Sequence, residues 1–566
     1  MKIASICVSI VIPMYLVLSE RAWAGPPALE LAWKRDGSAR YRVLQPDGED
    51  PVHESGVALG PDMTTPLGSL WKLFVYAYLT GRELNVPEYQ CSGLGLREEV
   101  FCCTEGNSIG ADDALALSCG LFFEPSRLKI TGEEWRAYWH PLLPVSAQWL
   151  GELSRLGPGT QVSVASLLDA LEAIPLHSRL RAERALMRML FNGRAGGTIP
   201  YVGSRMRVKT WTWGQPAGKG PRAGGFAGWL PDGTVVWARS EGSSTQILQR
   251  WAPALSAWID TFPIRREENE CVVVHFFANY PLIRLIDLQT GQPALPGLLD
   301  GTYRAEFRNG NYLKISSHGE LSLLEAEEGL RIMGRLGLND YVARVLEREA
   351  ATNPSEAAKA LAVAVRTYLL QNAAHRLSCY EIADSSRTQR VSPKPPRDAA
   401  VRIATWTDGL VIKGVPVRYH FNQPGTNRLV WTQAVALARE KQTFDEILAA
   451  AYPGGGLGSM YADMERDCRR MPEAETWLQG RLELWRRTLA GEPGFEAPPM
   501  NLAVCQLGSG KPYSDFDRRR IYVRELKTAN DRIAIAHEYV HLGFRHHPRG
   551  GDEAFVEETA RRLAGE

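Results

Sequence analysis

The sequence predicts a multidomain α+β fold. Its 566 residues exceed what one hydrophobic core organises, so about three domains are expected. Segments that alternate apolar and polar residues stand beside segments with helical apolar spacing. The strands are joined by hairpin-type turns, which favours α+β over a parallel α/β sheet. Hydrophobic residues make up 45% and charged residues 23% of the chain, the balance of an ordinary globular protein. The formal net charge is +1. With no basic excess to neutralise phosphates, nucleic acid is not an expected partner.

The first element is "MKIASICVSIVIPMYLVLSERAWAG". Lys2 supplies a positive start, an apolar run reaches Leu18, and Ala22-Trp23-Ala24 forms a small-residue cleavage site. A cleavable signal over residues 1–24 is expected, with a periplasmic or secreted mature chain beginning at Gly25. No later segment is long and apolar enough to span a bilayer. Export implies an oxidising compartment, where cysteines pair. Cys91, Cys102, Cys103 and Cys119 cluster, so at least one bridge is expected among them; Cys271, Cys379, Cys468 and Cys505 are dispersed. Metal-binding CxxC spacing is absent from the sequence.

Residues 25–262 form the first expected domain. "LELAWKRDGSARYRVLQPDG" reads as a hairpin around "DGS". "TTPLGSLWKLFVYAYL" reads as a helix with Pro66 in its first turn. "VSVASLLDALEAIPLHSRLRAERALMRML" is helical, "MRVKTWTW" and "DGTVVWARS" are strands, and "STQILQRWAPALSAWID" returns to helix. Ser69 and Lys72 lie three apart, so a helix puts them on one face. A buried lysine with a lowered pKa can take the proton of a serine and make it a nucleophile. "ALALSCGLFF" with Ser118 follows, and then Lys209-Thr210-Trp211 on a strand.

This order resembles the penicillin-recognising serine enzymes, the D,D-transpeptidases and serine β-lactamases, whose signature is SxxK, S-x-N and K-T-G. The resemblance implies Ser69 as acylated nucleophile, Lys72 as its base, Ser118 as proton shuttle, and Lys209 and Thr210 as holders of a substrate carboxylate. Gly120 replaces the usual Asn of the second motif. Trp211 replaces the usual Gly of the third, where its ring can block a substrate lying along the strand.

Residues 263–457 form the second domain. The charged stretch "PIRREENEC" marks its start, followed by strands such as "CVVVHFF" and "YRAEFRNGNYLKISSHG". Two helices follow, "LNDYVARVLEREA" and "PSEAAKALAVAVRTYLLQNA", and then "RTQRVSPKPPRD", which reads as a linker. Tyr341 and Glu349 lie eight apart, and Arg366-Thr367-Tyr368 end an alanine-rich helix. This pattern resembles the SpoIID family of secreted peptidoglycan glycan-cleaving enzymes. The resemblance implies that Glu349 protonates the leaving oxygen of a glycosidic bond. The cysteine-containing metal patch of some relatives is not evident, because Thr388 stands where a second cysteine would fall.

Residues 458–566 form the third domain, expected to be mainly helical with one strand, "RRIYVREL". "HEYVH" puts His537 and His541 four apart on one helical face, where both can hold Zn²⁺ while Glu538 activates a metal-bound water. Asp552-Glu553 and then Glu557 resemble the second helix of gluzincin metallopeptidases. That resemblance implies Glu553 as third ligand and Glu557 as the acid that orients a histidine. His546 or His547 is the metzincin-like alternative, without the expected glycine turn.

The order of the three parts resembles the uncharacterised secreted YfaQ-like proteins of Gram-negative bacteria. Peptidoglycan is the substrate the three sites have in common. The first functional expectation is a periplasmic peptidoglycan-remodelling enzyme. The alternatives are a non-catalytic murein-binding scaffold and a zinc peptidase acting on protein.

Overall fold

The computed structural model describes residues 28–44, 56–84, 86–92, 106–191, 197–214, 222–262, 271–326, 329–376, 379–461, 471–500, 502–507, 511–515 and 519–565. The expected signal, its cleavage site, Cys7, Cys102, Cys103 and Cys468 lie outside them. The multidomain α+β expectation holds: the described strands form separate sheets, each with its own helices. No described helix is long and apolar enough to cross a membrane.

The first sheet is antiparallel and six-stranded, in the order Val57–Ala58, Ser38–Leu44, Leu29–Arg35, Val235–Glu241, Ala223–Trp229, Arg207–Trp213. Alternation along the strands divides its residues between two cores. Leu29, Leu31, Val208 and Phe226 pack with Trp251 and Trp258 from the helix Ser244–Ile259. Ala32, Trp211 and Trp237 pack on the other side, against helices Trp71–Gly81 and Val164–Glu172. The long helical stretch expected before Arg207 is two helices, Val164–Glu172 and Leu176–Leu186. Pro175 separates them, because its extended backbone (ψ 140°) cannot continue the first helix. The stretch then ends in a short strand, Met189–Leu190.

The second sheet has seven strands, in the order Leu282–Asp287, Gly297–Phe307, Tyr312–Ala326, Gly329–Gly337, Cys271–Phe276, Cys379–Ala383, Ala374–Arg376. Cys271 and Cys379 are register partners on parallel strands and form a disulfide, with Cα atoms 4.6 Å apart. Cys91, Cys119 and Cys505 are also disulfide-bonded. Helix Leu338–Glu349 and helix Ser355–Asn372 cover this sheet. The second runs through the core: Ala357, Ala358, Ala360, Ala362 and Ala364 are all fully buried. Small side chains there let other helices approach closely.

The segment expected to be a linker is part of the core instead. Gln389 and Val391 are 0% and 1% exposed. Gln389 donates to the carbonyl of Val365 (3.1 Å), so its polarity is satisfied inside. Polar composition misleads here because the side-chain amide replaces water with protein partners.

Met189–Leu190 from the first part pairs with Gly456–Ser459, which in turn pairs with Leu410–Lys413. Met187, Met189 and Ile199 share one apolar cluster with the second sheet and its helices.

Helices outweigh strands in the third part, but it holds a three-stranded sheet where one strand is expected. Strands Ala503–Gln506, Arg520–Val523 and Tyr513–Asp515 form a sheet beside helices Pro472–Leu489, Ala529–Gly543 and Glu553–Ala564. Two of these strands escape the sequence reading because runs of three or four residues are too short to display a period of two.

Candidate functional sites

Ser69 does not lie on the helix proper. Pro66 belongs to the short strand Thr64–Pro66, which pairs with Gln161–Ser163. The N–H groups of Leu67 and Gly68 donate to the carbonyls of Thr160 and Pro158 (2.9 Å each), which anchors the chain just past the end of that strand. Gly68 then turns with φ +50°, a left-handed conformation that suits glycine. Ser69 sits in the 3-10 turn Gly68–Leu70, and the helix begins at Trp71.

Lys72 is buried and donates to the carbonyl of Ser118 (2.7 Å). Ser118 itself has φ +61°, a conformation that costs a non-glycine residue about 1–3 kcal/mol and that clusters at functional sites. Lys209 is 1% exposed and donates to the carbonyl of Thr210 (3.1 Å). Burial, followed by the charge of Lys72, pushes the Lys209 ammonium well below its usual range. The strand Arg207–Trp213 lies directly against the Ser69 turn. The structure therefore gathers Ser69, Lys72, Ser118 and Lys209, with Thr210 carried on the same strand.

Trp211 occupies the same face as Lys209, two residues on. It is 1% exposed, and its Cβ lies 3.0 Å from where a Cβ on Gly68 would be. Its ring also crosses Gly225 on the next strand. The indole thus fills the space between the Ser69 turn and the strand.

Glu349 is the last residue of its helix. Its Oε1 accepts the N–H of Arg390 (2.8 Å) from the segment misread as a linker. Burial raises its carboxyl above the ordinary range; the Arg390 N–H and guanidinium oppose this, and Asp384 adds to it. Around it stand Tyr341 and Tyr368 of the expected pattern, together with Gln389 and Tyr419, which the sequence reading did not single out. Tyr341 and Gln389 are hydrogen-bonded, and Gln389 also donates to the Tyr419 hydroxyl (3.0 Å). Burial holds both the Tyr341 and Tyr419 phenols well above their usual range. Tyr368 packs edge-on against Tyr419, with centroids 6.0 Å apart. The result is a carboxyl whose neutral form burial favours, beside a cluster of hydrogen-bonded aromatic side chains. Thr388, in the place of the missing cysteine, donates to the Ala383 carbonyl (2.5 Å) and closes the loop.

The third site begins with the helix Ala529–Gly543, started by a capping box between Thr528 and Asp531. His537 and His541 come one turn apart, with Nε2 atoms 3.1 Å from each other. The helix Glu553–Ala564, capped by Asp552, packs across it. Glu553 Oε2 lies 3.4 Å from His537 Nε2, and Glu553 Oε1 lies 3.5 Å from His541 Nε2. One turn further, Glu557 lies 3.2 Å from His537 Nδ1. The carbonyl of Gly550 takes Nδ1 of His541 (2.9 Å). Both imidazoles are thus fixed from behind, with the other nitrogen turned inward. Ligand atoms of His537, His541 and Glu553 all fall within 4.8 Å of one another. Two nitrogens and a carboxylate oxygen suit Zn²⁺. Glu538 is buried and accepts from the Ser514 hydroxyl (3.2 Å) on the strand Tyr513–Asp515. Neither Ser514 nor Gly550 carries a sequence signal, because each acts through tertiary placement.

The chain is 42% identical over 526 residues to "Uncharacterized protein YfaQ" of Escherichia coli K12, covering 92% of this chain and 94% of that one. The family described as "Predicted secreted protein (DUF2300)" matches residues 95–218 and 427–549. The family described as "Stage II sporulation protein" (SpoIID) matches residues 326–406. Similar solved structures include the C-terminal domain of the Bacillus licheniformis BlaR penicillin-receptor, with TM-score 0.27 and 12% identity, covering 42% of this chain and 91% of that one. A β-lactamase from Xanthomonas campestris has TM-score 0.25 and 12% identity, covering 42% and 91%.

Proposed function

The chain belongs to the family of Escherichia coli YfaQ, and from that premise we propose an exported enzyme that remodels peptidoglycan by cleaving its glycan at Glu349. The observation that carries this reading is the half-buried Glu349 carboxyl, held by the Arg390 N–H and raised above its ordinary range inside the SpoIID-matching segment. A carboxylic acid can protonate the glycosidic oxygen as its bond to C1 breaks, and the partial burial of Glu349 favours that neutral form. The sugar's own 6-hydroxyl then closes onto C1 and returns a proton to Glu349, so one acid suffices. Digestion of purified sacculi tests this. Wild type should release fragments with anhydro-sugar ends, and Glu349→Gln should release none. Release of neither anhydro ends nor peptide products by wild type would leave a murein-binding scaffold.

A second activity is supported by the convergence of His537, His541 and Glu553. In this reading the three residues hold Zn²⁺, Glu557 and the Gly550 carbonyl orient the imidazoles, and Glu538 acts as general base. Zinc, when bound, lowers the pKa of water and polarises a peptide carbonyl. The bond cut is then in a stem peptide or in a protein, and free amines released from sacculi against casein separate the two. The first site is proposed to bind stem peptide through Lys209 and Thr210, with acylation of Ser69 limited by Trp211.

A further inference from the structure

A second carboxylate stands beside Glu349. Asp384 follows the strand Cys379–Ala383, and its N–H donates to the carbonyl of His275 (2.9 Å), which ties its backbone to the sheet. Its Oδ1 accepts the N–H of Val391 (2.9 Å). The preceding N–H in the chain, that of Arg390, donates to Glu349 Oε1 (2.8 Å). Consecutive peptide groups therefore hold two carboxylates that come from a helix end and a strand end. Adjacent residues are under about 4 Å apart along the backbone, so the acids lie within reach of each other's charge.

We infer that Asp384 is a positioning residue of this site, a second carboxylate that acts on the glycan through Glu349. The inference rests on glycan cleavage at Glu349. Its chemistry is electrostatic: a negative charge beside Glu349 favours the neutral acid, the form that can donate a proton. Burial raises both carboxyls, and Asp384 adds to the rise at Glu349. The charges that oppose this are the guanidinium groups of Arg348 and Arg390, which face both acids. Tyr341 and Tyr419 also face Glu349, and burial keeps both phenols neutral. An aspartate that only closed the loop 384–391 would be needed for folding, and would leave the pH dependence of the reaction where it was.

The test is the pH profile of anhydro-sugar release from sacculi by the full chain. In Asp384→Asn the alkaline limb should move to lower pH by roughly one unit, with KM unchanged. Asp384→Glu should move it back. An unmoved limb, whatever the height of the profile, overturns the inference. Activity that survives Glu349→Gln removes the premise and takes the inference with it. If the Asn variant fails to fold, Asp384→Ser answers the same question: its alkaline limb should also lie at lower pH than that of wild type, and a limb at the wild-type position overturns the inference.

Discussion

Glu557 Oε2 lies 3.2 Å from Nδ1 of His537, on the side of the imidazole away from His541. The carboxylate fixes which nitrogen carries hydrogen and leaves Nε2 as a donor to a metal. Glu557→Gln should lower zinc affinity about 10–100-fold, and His537→Ala should abolish stoichiometric zinc. Competition titration with a chromophoric chelator measures the first, and elemental analysis the second.

Removal of the metal should also be felt in folding. A ligand that binds only the native state stabilises it by mass action. A chelator should lower the melting temperature of wild type and leave that of His537→Ala unchanged. Equal shifts in both proteins would count against a zinc site.

Trp211 is buried against Gly68, next to Ser69, so its removal opens space at that turn. Trp211→Gly should cost about 3–5 kcal/mol of stability, because it empties a buried indole volume. It should also raise labelling of Ser69 by a fluorescent penicillin. Labelling that persists in a Trp211→Gly, Ser69→Ala double variant would place the adduct elsewhere.

The raised carboxyl of Glu349 has a consequence for stability. Burial disfavours its charged form in the folded chain, so the folded protein holds a proton that the unfolded chain has lost. Stability therefore falls as pH rises from the ordinary glutamate range through the raised value. Glu349→Gln removes this dependence. Its melting temperature should exceed wild type by more at pH 8 than at pH 4, as calorimetry at the two pH values would show.

The bridge between Cys271 and Cys379 closes a loop across 108 residues. Loss of a cross-link of that span should cost about 3–5 kcal/mol. Denaturant curves of Cys271→Ser, Cys379→Ser against wild type would show it.

Much of the chemistry was legible because it resides in short spacings. HExxH and the Tyr341–Glu349 interval each lie within a single helix, whereas SxxK spans a 3-10 turn and the helix that follows it. The acids Glu553 and Glu557 were legible for the same reason, being one turn apart. What the sequence hid depends on contacts between distant segments. Trp211 was readable as a departure, but only the fold shows its ring seated over Gly68. Asp384 and Gln389 sit in a polar, proline-containing run that has the composition of solvent-facing chain. Its burial follows from hydrogen bonds to Val365, Glu349 and Val391, which no local pattern encodes. The short strands of the last part were hidden by length alone.

Met189–Leu190 completes a sheet whose other strands come from more than two hundred residues later in the chain. Such interleaving means the halves cannot be expressed, swapped or lost as independent cassettes. A chain stopped after the first sheet's helix would expose Met187 and Met189 to solvent, and the remainder would lack the outer ribbon of its own small sheet. The serine-bearing and glutamate-bearing parts are therefore joined through one small sheet and one apolar cluster.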